Sequence, residues 1–249
     1  MRRFRFLVEP GALEPGAGAK LSLPPEEARH IAITLRATPG EEIQLFDGRG
    51  REFLARIETV AGGRVEVVLE SEILEPVEAA VRLVLLQGFS KDEAFERAVD
   101  QATALGVAAI VPLLCERSRG GLRPPDARRL ERWRRIAREA AKLSWRRVVP
   151  TLGDPEPTER VGAADPPRSI GLLLDADAPR GSFRRLLHGP PVDEVRLAVG
   201  PEGGFSAAER AALLRAGFVP VSMGPRILRT ENAGAAALAV ILSHWGDLG

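Results

Sequence analysis

The spacing of hydrophobic positions divides the chain into two regions. In the first region, short segments alternate apolar and polar residues between turn residues, which is typical of half-buried β-strands. Asp47-Gly48 and Gly62-Gly63 lie between such segments and predict hairpin turns, and one predicted helix, residues 26–35, interrupts the strands. The strand segments are RFRFLV, KLSL, EEIQLF, REFLARIETV and RVEVVLE. Residues 1–71 are therefore predicted to form a small β-barrel or sandwich.

The spacing of the hydrophobic residues changes after residue 71. Near-continuous apolar segments now alternate with stretches of helical periodicity, which predicts a parallel sheet covered by helices on both faces. The predicted strands are residues 81–89, 108–114, 170–175, 195–200 and 219–224. Residues 72–249 are therefore predicted to form a second domain of the α/β class.

Several predicted helix ends carry recognisable capping residues. Ser90-Lys-Asp-Glu93 and Ser206-Ala-Ala-Glu209 have the spacing of a capping box, in which serine and glutamate satisfy exposed backbone N–H groups reciprocally. Gly106 and Gly217 lie where left-handed C-terminal caps are expected. Asp126 is predicted to cap an arginine-rich helix.

That helix makes the charge distribution uneven. The chain has a net charge of only +1, yet residues 116–147 contain twelve Lys or Arg and four Asp or Glu. Such a segment suits a polyanion such as nucleic acid, although a solvated helix face has the same composition. Trp133 belongs to the apolar stripe of this helix and is predicted to lie in the core.

Composition disfavours several classes of protein. No apolar run approaches the roughly 18 to 20 residues that cross a membrane, and the basic N-terminus has no long apolar region behind it, so we expect a cytoplasmic protein. The single cysteine, Cys115, excludes an internal disulfide and a multi-cysteine zinc site. With three histidines in addition, no metal is expected.

Two loops that contain glycine and proline follow predicted strands. They are Gly200-Pro201-Glu202-Gly203-Gly204 and MGPRILRTENAG, residues 223–234. Ligands gather at the carboxyl ends of parallel strands, and glycine lets backbone amides approach a ligand closely. No G-x-G-x-x-G or G-x-x-x-x-G-K-[ST] motif is present, which disfavours a dinucleotide or a nucleoside triphosphate. One glycine-rich loop alone is often only a tight turn, so the second loop is what indicates a cofactor pocket.

The segments LAVGPEGGFSAAE and VSMGPRILRTENA closely resemble the SPOUT, or α/β-knot, methyltransferases. Within them they resemble the bacterial family that methylates N3 of a uridine in small-subunit ribosomal RNA. Further matches cover nearly the whole chain in the family's order. They are HIAITLR, QLFDG, Lys91 with ALGVAAIVPLLCERS, RWRRIAREAAKLS and the terminal GDLG.

The resemblance implies a PUA-like β-barrel that binds RNA, followed by a domain whose tail forms a trefoil knot. It also implies a homodimer, and 16S ribosomal RNA in the small ribosomal subunit as substrate. S-adenosylmethionine would bind between the two loops. The residues implied to bind it are Leu173, Leu174, Val199, Gly200, Pro201, Glu202, Gly203, Gly204, Met223, Gly224, Pro225, Ile227, Leu228 and Thr230. The residues that we expect to contact RNA are His30, Arg36, Lys91, Arg117 and Arg146.

Three residues are candidates for the catalytic chemistry. Methylation of uracil N3 requires removal of an imide proton and an in-line approach to the methyl group. Arg229 stays protonated, so it cannot be the base, but it can stabilise negative charge on the uracil carbonyls. Glu231 or Glu202 is the candidate proton acceptor. Alternatively, Arg229 forms a structural ion pair with one of these acids, and Glu202 holds its loop by accepting backbone N–H bonds.

The chain departs from the family at two places. Leu143-Ser144-Trp145-Arg146 replaces the family's Gln-Ser-Gly-Arg, so Trp145 either stacks on a base or packs within the protein. Asn232 replaces a threonine.

Two other functions fit these features. One is a non-catalytic RNA-binding factor in ribosome assembly, and the other is a SPOUT enzyme that methylates transfer RNA. The intact glycine loop and Arg229 favour an enzyme over an assembly factor. A barrel placed before the knot domain, together with the Arg-Thr-Glu signature, favours ribosomal over transfer RNA.

Overall fold

The computed structural model describes residues 4–118, 121–163, 168–246 and 248. The chain divides into two compact units, Met1–Glu78 with Ala141–Val149 and Ala79–Ala140 with Pro150–Gly249. Residues 141–149, which the sequence pattern assigns to the α/β domain, belong to the first unit by their contacts. The boundary predicted after residue 71 stays a prediction.

The first unit is built on a mixed five-stranded sheet. Its strands are β1 (Arg5–Leu7), β2 (Lys20–Ser22), β3 (Glu42–Phe46), β4 (Glu52–Ala61) and β5 (Arg64–Glu72). They are arranged in the order β1-β3-β4-β5-β2, with β1 parallel to β3 and the other neighbours antiparallel. All five strands that the alternating pattern predicts are present. The β4–β5 hairpin turns at Gly62 and Gly63, which both have positive φ.

The helix predicted over residues 26–35 is present in two parts. An α-helix, α1 (Pro25–Arg29), continues as a π-helical turn, His30–Leu35. The turn ends at Arg36, which has the left-handed conformation (φ 53°). Ala28 and Ile31 from these turns are buried with the inward-facing side chains of the strands and form the core of this unit.

A buried cluster of charged side chains joins residues 141–149 to the sheet of the first unit. The Arg5 guanidinium donates to Glu52 Oε1 (2.6 Å) and to the carbonyl of Arg146 (2.6 Å). Arg147 donates to the other oxygen of Glu52 (3.0 Å). Buried charges are tolerated when they are paired and hydrogen-bonded. Residues 141–149 therefore belong with the strands whose charges they neutralise.

The second unit contains a seven-stranded sheet in which every pairing is parallel. Its strands are β6 (Arg82–Gly88), β7 (Ala109–Leu114), β8 (Thr151–Leu152), β9 (Glu156–Pro157), β10 (Ser169–Leu174), β11 (Glu194–Val199) and β12 (Val219–Val221). Their order is β12-β10-β11-β6-β7-β8, with β9 also paired to β7. All five predicted strands are present. The two-residue strands β8 and β9 were not predicted, because two residues establish no period.

Helices cover both faces of this sheet. The remaining helices are α2 (Asp92–Ala104), α3 (Ala127–Leu143), α4 (Ser182–Leu187), α5 (Ala207–Arg215) and α6 (Thr230–Trp245). Leu213 of α5 is buried with Val84 and Leu86 on one face. On the other face Gly234 of α6 lies so close to β6 and β11 that a Cβ there would touch Leu85 and Val199. Within the described ranges, no helix is long and apolar enough to cross a membrane.

The predicted helix starts are confirmed except at α2. Ser206 and Glu209 form the predicted capping box at the start of α5, and Asp126 accepts the Arg129 N–H at the start of α3 (2.8 Å). The capping box predicted at residues 90–93 is wrong. The N-cap of α2 is Lys91 and has no side-chain hydrogen bond, while Ser90 is buried.

The other capping and core predictions hold. Gly106 and Gly217 both have the predicted left-handed conformation. Trp133 is fully buried, as predicted, and its ring lies 4.2 Å from that of Phe95 between centroids.

Candidate active site

The two loops singled out in the sequence meet at the carboxyl edge of the parallel sheet. One follows β11 and the other follows β12, and these two strands flank β10. The loops and the end of β10 enclose a cavity of about 1030 Å³. A cavity of that size accommodates a ligand much larger than a single amino acid or base.

Glycines are required where the loop after β11 passes the end of β6. A Cβ on Gly88 would lie 2.5 Å from the backbone nitrogen of Pro201, which no side chain can tolerate. A Cβ on Gly200 would lie 3.2 Å from the backbone of Gly204. Gly204 has a positive φ of 70°, a conformation that favours glycine. The glycine loop is therefore folded tightly on itself and against the neighbouring strand.

The structure gathers nearly all of the predicted donor-binding residues around this cavity. Gly203 is the exception, since it does not line the cavity. Its carbonyl oxygen accepts a hydrogen bond from Arg117 Nη1 (3.1 Å). The residues that do line the cavity are Leu173, Leu174, Val199, Gly200, Pro201, Glu202, Gly204, Met223, Gly224, Pro225, Ile227, Leu228 and Thr230.

The three predicted catalytic residues also line the cavity, but they are not bonded to one another. Glu231 is buried and accepts a hydrogen bond from Arg97 Nη2 (3.3 Å). Glu202 is exposed and accepts the backbone N–H of Lys91 (3.3 Å). The Arg229 guanidinium is exposed and makes no hydrogen bond or ion pair with any residue that the structure describes. Its charge is therefore available to a ligand in the cavity.

The loop after β7 supports the glycine loop through a buried carboxylate. Glu209 is fully buried and accepts the backbone N–H groups of Glu116 and Ser206, both at 2.7 Å. Cys115 begins this loop, and burial raises the pKa of its thiol to about 12. A thiol with that pKa is protonated at neutral pH, so Cys115 is not a nucleophile.

The residues predicted to contact RNA are distributed over both units. Lys91 and Arg117 are exposed and line the cavity in the second unit. In the first unit Arg36 is exposed, and His30 is half-buried with its ring 6.0 Å from that of Phe6. Arg146 differs because it is buried and donates to Glu78 (2.7 Å). Its guanidinium is therefore occupied within the first unit and is not available to RNA.

The two departures from the family pattern are exposed. Trp145 follows the end of α3 in the left-handed conformation (φ 64°), and Asn232 lies in the first turn of α6. In the terminal Gly-Asp-Leu-Gly motif, Asp247 and Gly249 lie outside the described residues.

Some residues at the site were not identified from the sequence. Arg97 lines the cavity and binds Glu231, and Arg210 donates to Asp175 (2.7 Å) at the end of β10. Gln87, buried behind the cavity, contacts Thr230. In the sequence, the only feature that could have pointed to Gln87 is its position at the carboxyl end of a predicted strand. In the described ranges no group of three or more His, Cys, Asp or Glu residues could hold a metal ion.

Two family models match the chain. An RNA methyltransferase domain matches residues 77–242, and an RNA methyltransferase PUA domain matches residues 23–70. Together they follow the same order as the two domains predicted from the sequence.

Curated proteins and solved structures give the same result. The chain is 33% identical to ribosomal RNA small subunit methyltransferase E of Mycobacterium tuberculosis over 93% of this chain and 90% of that protein. A methyltransferase from Legionella pneumophila in complex with S-adenosylmethionine has a TM-score of 0.87 and 34% identity. A ribosomal RNA small subunit methyltransferase E from Neisseria gonorrhoeae bound to S-adenosylmethionine has a TM-score of 0.88 and 30% identity. Each of the two alignments extends over 100% of this chain and 100% of the other protein's chain. They confirm the predicted fold class, an α/β-knot domain preceded by a PUA-like domain.

Proposed function

Because the chain belongs to the ribosomal RNA small subunit methyltransferase E family of RNA methyltransferases, we propose that it methylates N3 of a uridine in 16S ribosomal RNA, with S-adenosylmethionine as the donor. By family resemblance the target is the uridine at position 1498. The observation that carries the proposal is the cavity at the sheet edge, where the glycine loop faces a loop that ends in Arg229, whose guanidinium has no partner among the described residues.

The residues around the cavity fit S-adenosylmethionine. Gly200 and Gly204, which have no side chains, bring main-chain polar groups to the cavity wall, and Leu174, Ile227 and Leu228 offer apolar surface. When bound, the donor supplies a sulfonium methyl group that is transferred to a nucleophilic nitrogen. The exposed guanidinium of Arg229 stabilises the negative charge that develops on the uracil carbonyls when the N3 proton leaves.

We assign the proton acceptor to Glu202 and a structural role to Glu231. The Glu231 carboxylate is buried in an ion pair with Arg97, so its charge is already compensated. Glu202 lies exposed on the glycine loop and lines the cavity, and among the described residues only the backbone N–H of Lys91 donates to it, at Oε1. An accessible carboxylate of this kind can accept the imide proton directly or through one water molecule.

RNA binding is assigned to exposed cations in both units. Lys91 and Arg117 line the cavity, where they can contact the phosphates that flank the target uridine. In the PUA-like unit, we assign RNA contacts to Arg36, which is exposed, and to His30, which is half-buried.

We propose that the protein is a homodimer that acts in the cytoplasm. Ile227 is 90% exposed beside the cavity, and Val240 on α6 is 41% exposed. Both side chains are thus accessible to the second subunit that the family resemblance implies. Light scattering at several protein concentrations tests the dimer, and a constant monomer mass would contradict it.

The enzymatic proposal is tested by methylation of small ribosomal subunits that lack the modification. Purified protein, labelled S-adenosylmethionine and such subunits should give label at one uridine of 16S RNA, located by mass spectrometry of nuclease fragments. Label on transfer RNA, or on another atom of the base, would contradict the proposed substrate. Failure to bind the donor in calorimetry would favour the non-catalytic assembly factor instead.

A further inference from the structure

A hydroxyl group joins the two loops of the cavity. Thr230, the first residue of α6, donates from Oγ1 to the carbonyl oxygen of Gly200 (2.6 Å). Gly200 opens the glycine loop, and Thr230 directly follows Arg229 at the end of the loop after β12. This one hydrogen bond therefore sets the distance between the wall assigned to the donor and the arginine assigned to catalysis.

Gln87 determines the direction of that hydrogen bond. It is fully buried near the end of β6, beside Val199 of β11 in register, and its Nε2 donates to Thr230 Oγ1 (2.8 Å) and to Gly88 O (3.3 Å). Because Thr230 Oγ1 already accepts a hydrogen from Gln87, its own hydrogen is directed to Gly200. Oγ1 thus acts as acceptor and donor at once.

The orientation of the Gln87 amide follows from the chemistry of its partners. A carbonyl oxygen only accepts hydrogen bonds, so the group facing Gly88 O must be the NH₂ group. The Thr230–Gly200 contact requires the same orientation, because an amide oxygen facing Thr230 would compete for its hydroxyl hydrogen. Gln87 Oε1 is then buried with no hydrogen-bond partner among the described atoms, an arrangement that costs stability.

From this geometry we propose that Gln87 is a positioning residue for methyl transfer. It does not line the cavity. It orients the Thr230 hydroxyl, which holds the glycine loop and Arg229 in the relative position that donor binding and transfer require. This inference rests on the proposed function, since it assumes that the cavity binds S-adenosylmethionine.

The Thr230 hydroxyl is tested with near-isosteric variants. Thr230→Val should weaken S-adenosylmethionine binding about tenfold in calorimetry, because Gly200 O loses a buried hydrogen bond. Thr230→Ser keeps the hydroxyl and should restore the affinity to within about twofold. The matched control is Thr158→Val, which removes another buried hydroxyl of the same unit, one that donates to Leu114 O (3.4 Å). It should lower the melting temperature without changing the donor affinity.

Gln87 is tested by its coupling to Thr230. Gln87→Met should weaken donor binding in the wild-type background but by less than about twofold in the Thr230→Val background, because its effect passes through the hydroxyl.

Two results would overturn this inference. One is unchanged donor affinity in Thr230→Val and Gln87→Met despite lower melting temperatures, which would leave both residues with a purely structural role. The other is an equal effect of Gln87→Met in both backgrounds. Either result, obtained with a wild-type protein that binds the donor, leaves the proposed function intact. If the wild-type protein does not bind the donor, the proposed function itself is wrong.

Discussion

Two arginines at the wall of the cavity differ in their partners. The Arg97 guanidinium is bound to Glu231, whereas the Arg229 guanidinium has no partner among the described residues. An arginine that acts on the transition state should matter for the reaction and little for donor binding. We therefore expect Arg229→Ala to lower kcat about a hundredfold and to change the Kd for S-adenosylmethionine by less than about threefold.

Single-turnover methylation and calorimetry measure the two quantities separately. Arg226→Ala is the matched control, because it removes the same charge from the same loop. It should retain most of the kcat if the position of Arg229, rather than the charge of the loop, is what matters. Equal losses of kcat and donor affinity in Arg229→Ala would make Arg229 a donor-binding residue.

Cys115 provides a prediction about reactivity. Burial is the largest cause that raises its pKa to about 12, so at pH 8 its thiolate fraction is about a thousandfold below that of an unperturbed thiol. The native protein should react with a thiol reagent such as iodoacetamide at least that much more slowly than the guanidinium-denatured protein. Mass spectrometry counts the adducts, and one adduct is expected after denaturation because the chain has one cysteine. Fast labelling of the native protein would show that the thiol is accessible.

At the scale of residues, the sequence predicted which side chains approach the cavity better than which side chains they contact. The predicted donor-binding residues follow directly from strand ends, and all but Gly203 line the cavity. The partner of Glu231 is Arg97, which lies on a different helix, and no local pattern relates them. The same holds for Gln87 and Thr230, which are 143 positions apart. Contacts between distant segments are set by the three-dimensional fold, so single-sequence periodicity does not report them.

The end of helix α3 shows how one element depends on another. The backbone N–H of Arg146 donates to the carbonyl of Ala141 in the last turn of α3 (3.0 Å). Trp145, which directly precedes Arg146, has the left-handed conformation. This is the geometry of a Schellman cap, in which glycine is usual. The Arg5 guanidinium also donates to the Ala141 carbonyl (3.2 Å), so a cation satisfies the negative end of the helix.

A tryptophan in this position strains the cap. The left-handed conformation costs a residue with a Cβ about 1 kcal/mol relative to glycine. Trp145→Gly should therefore have a free energy of unfolding about 1 kcal/mol higher than Trp145→Ala, although both lose the same aromatic side chain. Urea denaturation followed by circular dichroism measures the difference. Equal stabilities of the two variants would show that the backbone at residue 145 is not strained.

Helices and strands were predicted correctly where the hydrophobic pattern extends over enough residues to be identified. Strands β3 to β5 alternate apolar and polar residues over five to ten positions, and β6, β7, β10 and β11 are near-continuous apolar segments. The capping box at residues 90–93 failed because the serine and glutamate spacing occurs one residue before the helix actually begins. A capping motif defines a possible start, and tertiary contacts decide which start is used. Here Glu202 accepts the N–H of Lys91 and fixes the chain at that point.

For the whole molecule, the distribution of charge differs from what the sequence suggested. The basic segment, residues 116–147, is largely neutralised by acids from its own unit. In the second unit Arg132 pairs with Glu96 (2.8 Å) and Arg138 with Glu131 (2.7 Å). In the first unit Lys142 pairs with Glu27 (2.7 Å). A sequence count cannot detect this compensation, because most of the acids lie outside the segment.

This compensation predicts where RNA affinity depends on salt. Each cation that contacts a phosphate contributes about 0.7 to 0.9 to the slope of log affinity against log salt concentration. Lys91→Ala/Arg117→Ala should therefore reduce the slope by about 1 to 2, because both side chains are exposed at the cavity. Arg134→Ala/Arg138→Ala removes the same charge from α3, where both arginines are paired with Glu131, and should change the slope by less than about 0.5. Binding of a 16S RNA fragment, titrated at several salt concentrations, distinguishes the two surfaces. A larger change of the slope in the α3 variant would show that RNA contacts the helix and not the cavity.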